Sequence, residues 1–330
     1  MLLTVNLLIF CIVLFLYVHI YSHIKTSSFL EVYEVENLSK DKFEEITNFR
    51  QPVLLSNYTL INNITINNLV SNYPTFDLNL YNKQNESFLR IKMEDFESIV
   101  NVDDSNNYIS YNNKVFLEET TIEKLLSSND SFFRPYYICN TSYDIIMGRK
   151  NSTSQLKYSI NSRNILYLSS GKVEVTLCPP KYYKYLHVKK NYELLDFYSL
   201  IDIDNIQPKY KNDYQKVKFL RILVNTNQVL IIPPYWFYSI KFLEENTLVF
   251  FNSYRTFTSS IAIVPELFIQ ILQQNNLKLN MIKKLNEENE ENEENKENKE
   301  NKENKENKEN KENDYTKNNK MEILENQTSI

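Results

Sequence analysis

Three histidines, three cysteines and scattered carboxylates are the residues with which this 330-residue chain could hold a metal or run acid-base chemistry. His19 and His23 stand one helical turn apart, a spacing at which two imidazoles can share a metal. They also close an apolar stretch together with Tyr17 and Tyr21, and polar-tipped residues at a helix end sit naturally at a membrane interface. His187 stands alone in the segment KYYKYLHVKK and reads as a loop or surface residue. Cys11 lies in the apolar stretch, which leaves Cys139 and Cys178 as one possible pair and no disulfide framework. Glycine is rarer still. Gly148 and Gly171 are too few for a dinucleotide fingerprint or a phosphate-binding loop, because both need several glycines for tight turns and close backbone approach. Rossmann and P-loop chemistry is excluded.

The segments that must position these residues differ sharply in composition. Residues 1–24 carry no Asp, Glu, Lys or Arg, and Leu7 to Val18 is almost wholly apolar. About 20 such residues span a bilayer as a helix. No basic residue precedes the run and no small-residue cleavage site follows it, so residues 1–25 are expected to be an uncleaved single-pass anchor. A signal peptide and a buried helix are the alternatives, and Lys25 alone does not set an orientation. The net charge of -5 is local: residues 286–313 repeat in Asn-Glu-Glu and Asn-Lys-Glu triplets holding 12 Glu and 6 Lys, which leaves the rest near +1. No clustered basic face points to a nucleic-acid partner. A period of three matches neither helix nor strand, so residues 286–330 read as a solvated low-complexity tail. The 45 Asn and eight Asn-x-Ser/Thr sequons reflect AT-rich coding and decide nothing about glycosylation.

Between anchor and tail the pattern is mainly β. PVLLSNYTLI from Pro52, YYIC from Tyr136, NILYL from Asn164, KVEVTLC from Lys172, FLRILV from Phe219, QVLIIPPYWFYSIKFL from Gln228 and TLVFFNSY from Thr247 are short β-branched and aromatic runs bounded by Asn, Ser, Asp and Pro. Val173 to Leu177 alternates cleanly. Helical periodicity shows in Ile122 to Leu126 and, after Pro265, at Leu267, Phe268, Ile271, Leu272, Leu279 and Ile282. A β domain over 26–264, with its core from about residue 49, and an amphipathic helix over 265–285 are therefore expected, as a jelly-roll or barrel.

Three strings, NILYLSSGKVEVTLCPP (Asn164 to Pro180), VNTNQVLIIPPYWFYSI (Val224 to Ile240) and LVFFNSY (Leu248 to Tyr254), together resemble the core of the cupin-like JmjC proteins. That group includes the asparaginyl hydroxylase acting on hypoxia-inducible factor. FRQPVLLSN from Phe49 resembles the strand that leads into the barrel, and the Ile-Pro-Pro-Tyr-Trp turn is the most specific piece. The resemblance implies a double-stranded β-helix with flanking helices. It also implies Fe(II), held by a His-x-Asp pair and a later His, with 2-oxoglutarate as cosubstrate. A facial triad of this kind leaves open positions for cosubstrate and oxygen.

Counting along the resemblance puts Tyr158 and Ile160 at the His-x-Asp pair and Tyr238 at the later His. A phenol with a pKa near 10 is a poor Fe(II) ligand, and Ile160 offers none. The family's Gly-x-Lys is here Gly171-Lys172-Val173, and alternation turns Val173 inward and Lys172 outward. Asn164 and Asn252 match scaffold positions. These six, Tyr158, Ile160, Val173, Tyr238, Asn164 and Asn252, are the expected eroded pocket, with no catalytic residue, metal or cofactor. The first reading is thus a membrane-anchored, non-catalytic binding or structural module with a possible protein partner and an open oligomeric state. The second is an Fe(II)/2-oxoglutarate hydroxylase or demethylase using other ligands, such as Glu174, Asp144 or His187. The third is a membrane protein of unrelated all-β fold. Degenerate cupin-like proteins with hydrophobic N-termini resemble those of large DNA viruses, which would make the membrane a host or virion one; an AT-rich protist is the alternative source.

Overall fold

The computed structural model describes residues 2–279 except 59, 62, 63 and 103–107, so the tail expected over 286–330 and the end of the helix expected over 265–285 lie outside the described residues. A compact unit runs to Gln270, and a second begins at Ile271, of which helical residues 271–279 are described. In chain order the first unit holds α1 (Leu2–Ile24), β1 (Tyr33–Glu36), α2 (Lys40–Asn48), β2 (Val53–Ser56), α3 (Ile66–Asn72), β3 (Asp77–Asn82), β4 (Ser87–Lys92), α4 (Phe96–Val102), β5 (Tyr108–Ser110), α5 (Lys114–Glu119) and α6 (Ile122–Asn129). It continues with β6 (Ile138–Gly148), β7 (Lys157–Tyr158), β8 (Arg163–Ser170), β9 (Lys172–Cys178), β10 (Val188–Asn191), β11 (Asp196–Ser199), α7 (Lys211–Tyr214), β12 (Leu220–Asn225), β13 (Gln228–Ile232), β14 (Phe237–Phe242), β15 (Leu248–Thr256) and α8 (Phe257–Ala262).

The strands form two sheets, ordered β1-β2-β13-β8-β15-β6-β5-β3-β4 and β10-β11-β7-β14-β9-β12. All pairings are antiparallel except β1 with β2. From β6 onward the chain passes repeatedly between the sheets, so β6, β8, β13 and β15 face β7, β9, β12 and β14 across a shared interior. Alternation fills that interior with Leu166, Leu168, Val173, Val175, Leu177, Ile240, Phe242 and Val249. Its opposite parity builds two further layers. Tyr167, Phe250 and Tyr254 pack against the helical N-terminal half, and Tyr158, Cys178 and Phe237 pack under the segments around β10 and β11.

The expected mainly-β domain is in fact mixed α/β. Helices α2 to α6 cover the outer face of the large sheet through Phe43, Leu69, Phe96, Phe116 and Leu126. They run only six to nine residues each, too short for a helical period to stand out in an Asn- and Ser-rich chain. Other runs shift at their ends: β6 continues to Gly148, while β2 stops at Ser56, before Asn57 with φ 60°. The Ile-Pro-Pro-Tyr-Trp run divides into β13 and β14 because prolines cannot donate to a ladder. Its Tyr235 takes a left-handed φ of 64°, and its N–H donates to the Ser159 carbonyl at 2.8 Å, tying the turn to the end of β7. At the β8–β9 turn Gly171 has φ +78°, and a Cβ there would collide with Thr247. Cys139 is exposed, Cys178 is buried and both are free, so the possible pair does not form.

Candidate functional site at the barrel mouth

Strand register decides which side chains look into the interior. Tyr158 lies in register with Phe237 of β14 and Phe197 of β11, stacks on Phe197 at 5.2 Å and meets Phe237 edge-on at 5.0 Å. All three belong to the outer layer, as does Ile160. The next row runs the other way. Lys157 sits between Tyr238 and Tyr198, and its ammonium lies 3.9 Å from the centroid of the Tyr111 ring, a cation-π contact. Tyr238 is interior, stacked on Phe251 at 5.0 Å. Position 157, not 158, is therefore the one opposed to Tyr238. The count along the sequence is off by one, and a one-residue slip on a strand exchanges the two faces.

From this row toward the open end the interior becomes polar. Phe251, Ser253 and Arg255 on β15 are opposed to Asp144, Ser142 and Asn140 on β6. Ser253 donates to Asn164 Oδ1 at 2.8 Å, and Asn164 donates to the Ile232 carbonyl at 3.2 Å. Arg255 Nε donates to Asn161 Oδ1 at 3.0 Å. The mouth is a cavity of about 190 Å³ lined by Lys114, Ser142, Ser159, Asn161, Ser253 and Arg255. Asp144 accepts backbone N–H bonds from Asn112 at 2.8 Å and Asn113 at 2.7 Å, which close the loop after β5 over this end.

Of the six expected pocket residues, Val173, Tyr238 and Asn164 face the interior, though Val173 is opposite Phe242 at its apolar end. Tyr158 faces away from it, and Ile160 packs in the same outer layer while also bordering the mouth cavity. Asn252 lies on the far side of the large sheet, donating to Tyr167 and Tyr254 hydroxyls at 3.4 Å each, since its neighbours Phe251 and Ser253 take the inward parity. The other suggested ligands do not converge. Asp144 is inside, Glu174 alternates outward between Val173 and Val175, and His187 bonds Asp213 at 2.9 Å and packs on Tyr210. Lys157, Ser142, Ser159, Ser253 and Arg255 were missed; alternation groups residues by face but does not say which face is inside.

Among the described residues no group of three or more His, Cys, Asp or Glu side chains could hold a metal ion. The inward row offers an ammonium, two phenols and apolar groups in place of ligands. Burial raises the Tyr238 phenol well above its ordinary pKa and disfavours a phenolate there. This donor set does not fit Fe(II).

The profile of the cupin-like domain matches residues 39–259, well over half of the chain. The chain belongs to the cupin-like domain family. No curated protein matches it. The unrelated all-β reading is thereby overturned. The cupin-like region starts ten residues ahead of Phe49, at Ser39, the cap of α2 whose side chain accepts from the Lys42 N–H. It takes in all of the helices that cover the large sheet.

Asp144 carries a testable pH signature within the cupin-like domain. Burial raises its pKa to about 6, partly opposed by the Asn113 and Asn112 N–H bonds and by Lys157. Because the native pKa is above the unfolded one, the native state holds the extra proton. That contribution is complete below about pH 4 and disappears as pH rises through 6. Relative to Asp144→Asn, the wild type should lose about 2 kcal/mol of unfolding free energy between pH 4 and 7, measured by denaturant titration at each pH.

Proposed function

We propose that the chain is a membrane-tethered cupin-like module that binds or scaffolds a partner and carries out no iron-dependent oxidation. The observation behind this is the inward row Tyr198–Lys157–Tyr238, where a fixed cation faces the position a metal would need. A divalent ion there meets the Lys157 ammonium and no imidazole, and the nearby carboxylate on the inward face, Asp144, is already held by the Asn112 and Asn113 N–H groups. Apolar packing fills the remaining interior, so the polar mouth around Ser253 and Arg255 is the part of the barrel interior open to a ligand or peptide.

Anchorage rests on α1, of which Leu3–Ile24 has mean hydropathy 2.5 and is long enough to cross a membrane. Support for an uncleaved helix comes from its last turn, where buried His23 packs edge-on against Tyr235 at 5.7 Å. A leader removed after export has no use for such a contact. Metal analysis of the detergent-purified chain, with a 2-oxoglutarate turnover assay, is expected to show no bound iron and no succinate above background. Stoichiometric iron with succinate release would overturn the non-catalytic reading. N-terminal sequencing of the membrane fraction should recover residues of α1.

A further inference from the structure

Two clefts flank the point where α1 meets the domain, and Arg50 borders both. The first, of about 400 Å³, is lined by His19, Ser22 and His23 of α1 together with Arg50, Tyr136 and Thr258. The second, of about 510 Å³, has an apolar wall of Val18, Tyr21, Phe29 and Phe49, with Lys25 and Arg50 as its cations. Arg50 has no carboxylate partner among the described residues; its guanidinium donates only a long 3.4 Å bond to the Ser162 carbonyl. Glu44, the carboxylate on the first cleft, is already engaged by Arg163 at 2.6 Å and Lys40 at 2.7 Å. His23 is 2% exposed, and the one partner within its reach is the Ile160 backbone. A guanidinium without a carboxylate partner, bordering two cavities, leaves an unmet demand for an anion that accepts hydrogen bonds.

The length of α1 says where these clefts sit. Its last six residues lie alongside the domain, leaving Leu2–Val18, roughly 25 Å at 1.5 Å per residue, to cross a hydrocarbon core of about 30 Å. A short span is matched by local thinning of the bilayer and by flanking residues reaching to the interface, which puts the foot of α1 at headgroup level. Phe29, Phe49 and Tyr136, exposed by 71%, 62% and 56%, ring this exit as aromatic residues do at an interface.

We propose that this juxtamembrane pair of clefts binds the headgroup phosphate of an anionic phospholipid, with Arg50 as its main partner, Lys25 at the rim, and the upper acyl region against Val18, Tyr21, Phe29 and Phe49. Free phosphate shares the first interaction but has no use for the apolar wall. The site rests on α1 remaining in the membrane.

The full chain is reconstituted in phosphatidylcholine vesicles, and its selectivity for spin-labelled phosphatidylglycerol over spin-labelled phosphatidylcholine is read by electron paramagnetic resonance. Wild type should prefer the anionic lipid by about fivefold. Arg50→Gln should bring the ratio near one, Arg50→Lys should keep most of it, and Lys25→Gln, on the exposed rim and harmless to folding, should lower it part-way. No preference in the wild type, or an unchanged ratio in both Arg50→Gln and Lys25→Gln, overturns the site. Displacement of the labelled lipid by millimolar inorganic phosphate would make it a plain phosphate site and overturn the lipid assignment. Carbonate extraction of the same membranes tests the anchor separately: a chain released into the supernatant refutes the span, whatever the lipid ratio.

Discussion

Arg163→Met is expected to lower the unfolding free energy by about 3 kcal/mol, a fall in melting temperature of roughly 10 °C for a domain of this size. Arg163, 6% exposed, joins β8 to two separate pieces of the N-terminal half, α2 and the segment after α6. It donates to both Glu44 oxygens at 3.1 and 2.6 Å, to Thr47 Oγ1 at 2.8 Å and to the Phe133 carbonyl at 2.7 Å, and its guanidinium lies 4.9 Å from the Phe43 ring centroid. Methionine fills much of the volume but leaves Glu44 to Lys40 alone and orphans the Phe133 carbonyl. The loss comes from uncompensated partners rather than from the pair itself, so Arg163→Met with Glu44→Gln should recover part of it. The effect depends on pH. Burial alone would raise the Glu44 pKa, but the bonds from Arg163 and Lys40 outweigh it and the native value lies below the ordinary one. The pair therefore stabilises above the unfolded pKa, near 4.5, and its contribution fades as pH falls through the lower native value. Melting curves at pH 7 and pH 3 should show a smaller gap between wild type and variant at the acid end.

Installing ligands on the inward row should create a metal site, and installing them one residue away should not. Lys157→His with Ser159→Asp and Tyr238→His places three donors on one interior face, since 157 and 159 share a parity and 157 is opposed to 238. The alternative triple, Tyr158→His, Ile160→Asp and Tyr238→His, divides its donors between the interior and the outer layer. Cobalt(II) titration followed by its visible d–d bands should give an affinity for the first variant at least about a hundredfold above that of the second. Equal affinity in two folded variants would mean that the register at β7 is wrong. The first triple also removes the Lys157 cation, so Lys157→Met alone serves as the control and should bind no cobalt.

The fold was partly legible from local pattern. Val173 to Leu177 reads as a strand because apolar and polar residues alternate over a full half-buried run. The Ile-Pro-Pro-Tyr-Trp turn reads as a break because two prolines cannot be paired in a ladder. The helices between Lys40 and Asn129 were not legible beyond Ile122–Leu126. Each presents one or two buried anchors, such as Phe43 on α2, and is stabilised by the sheet it covers rather than by its own periodicity. At the site, Tyr238 and Asn164 were identified because they flank recognisable turns and strand starts. Lys157 was not, because β7 is two residues long and carries no alternation of its own.

By itself the sequence determined that the chain has an apolar N-terminal segment able to span a bilayer, that no histidine lies on the strands where the family resemblance places an iron triad, and that the chain carries a cupin-like domain. These follow from composition and from patterns a few residues long. Only the tertiary structure decided that Lys157 and not Tyr158 looks inward, that Arg163 holds the helical half to the sheet, and that Arg50 stands between two clefts at the foot of α1. Each of those depends on strands and helices brought together from tens to more than a hundred residues apart. Local alternation sorts side chains into two faces; the partner strand across the ladder chooses which of them is inside.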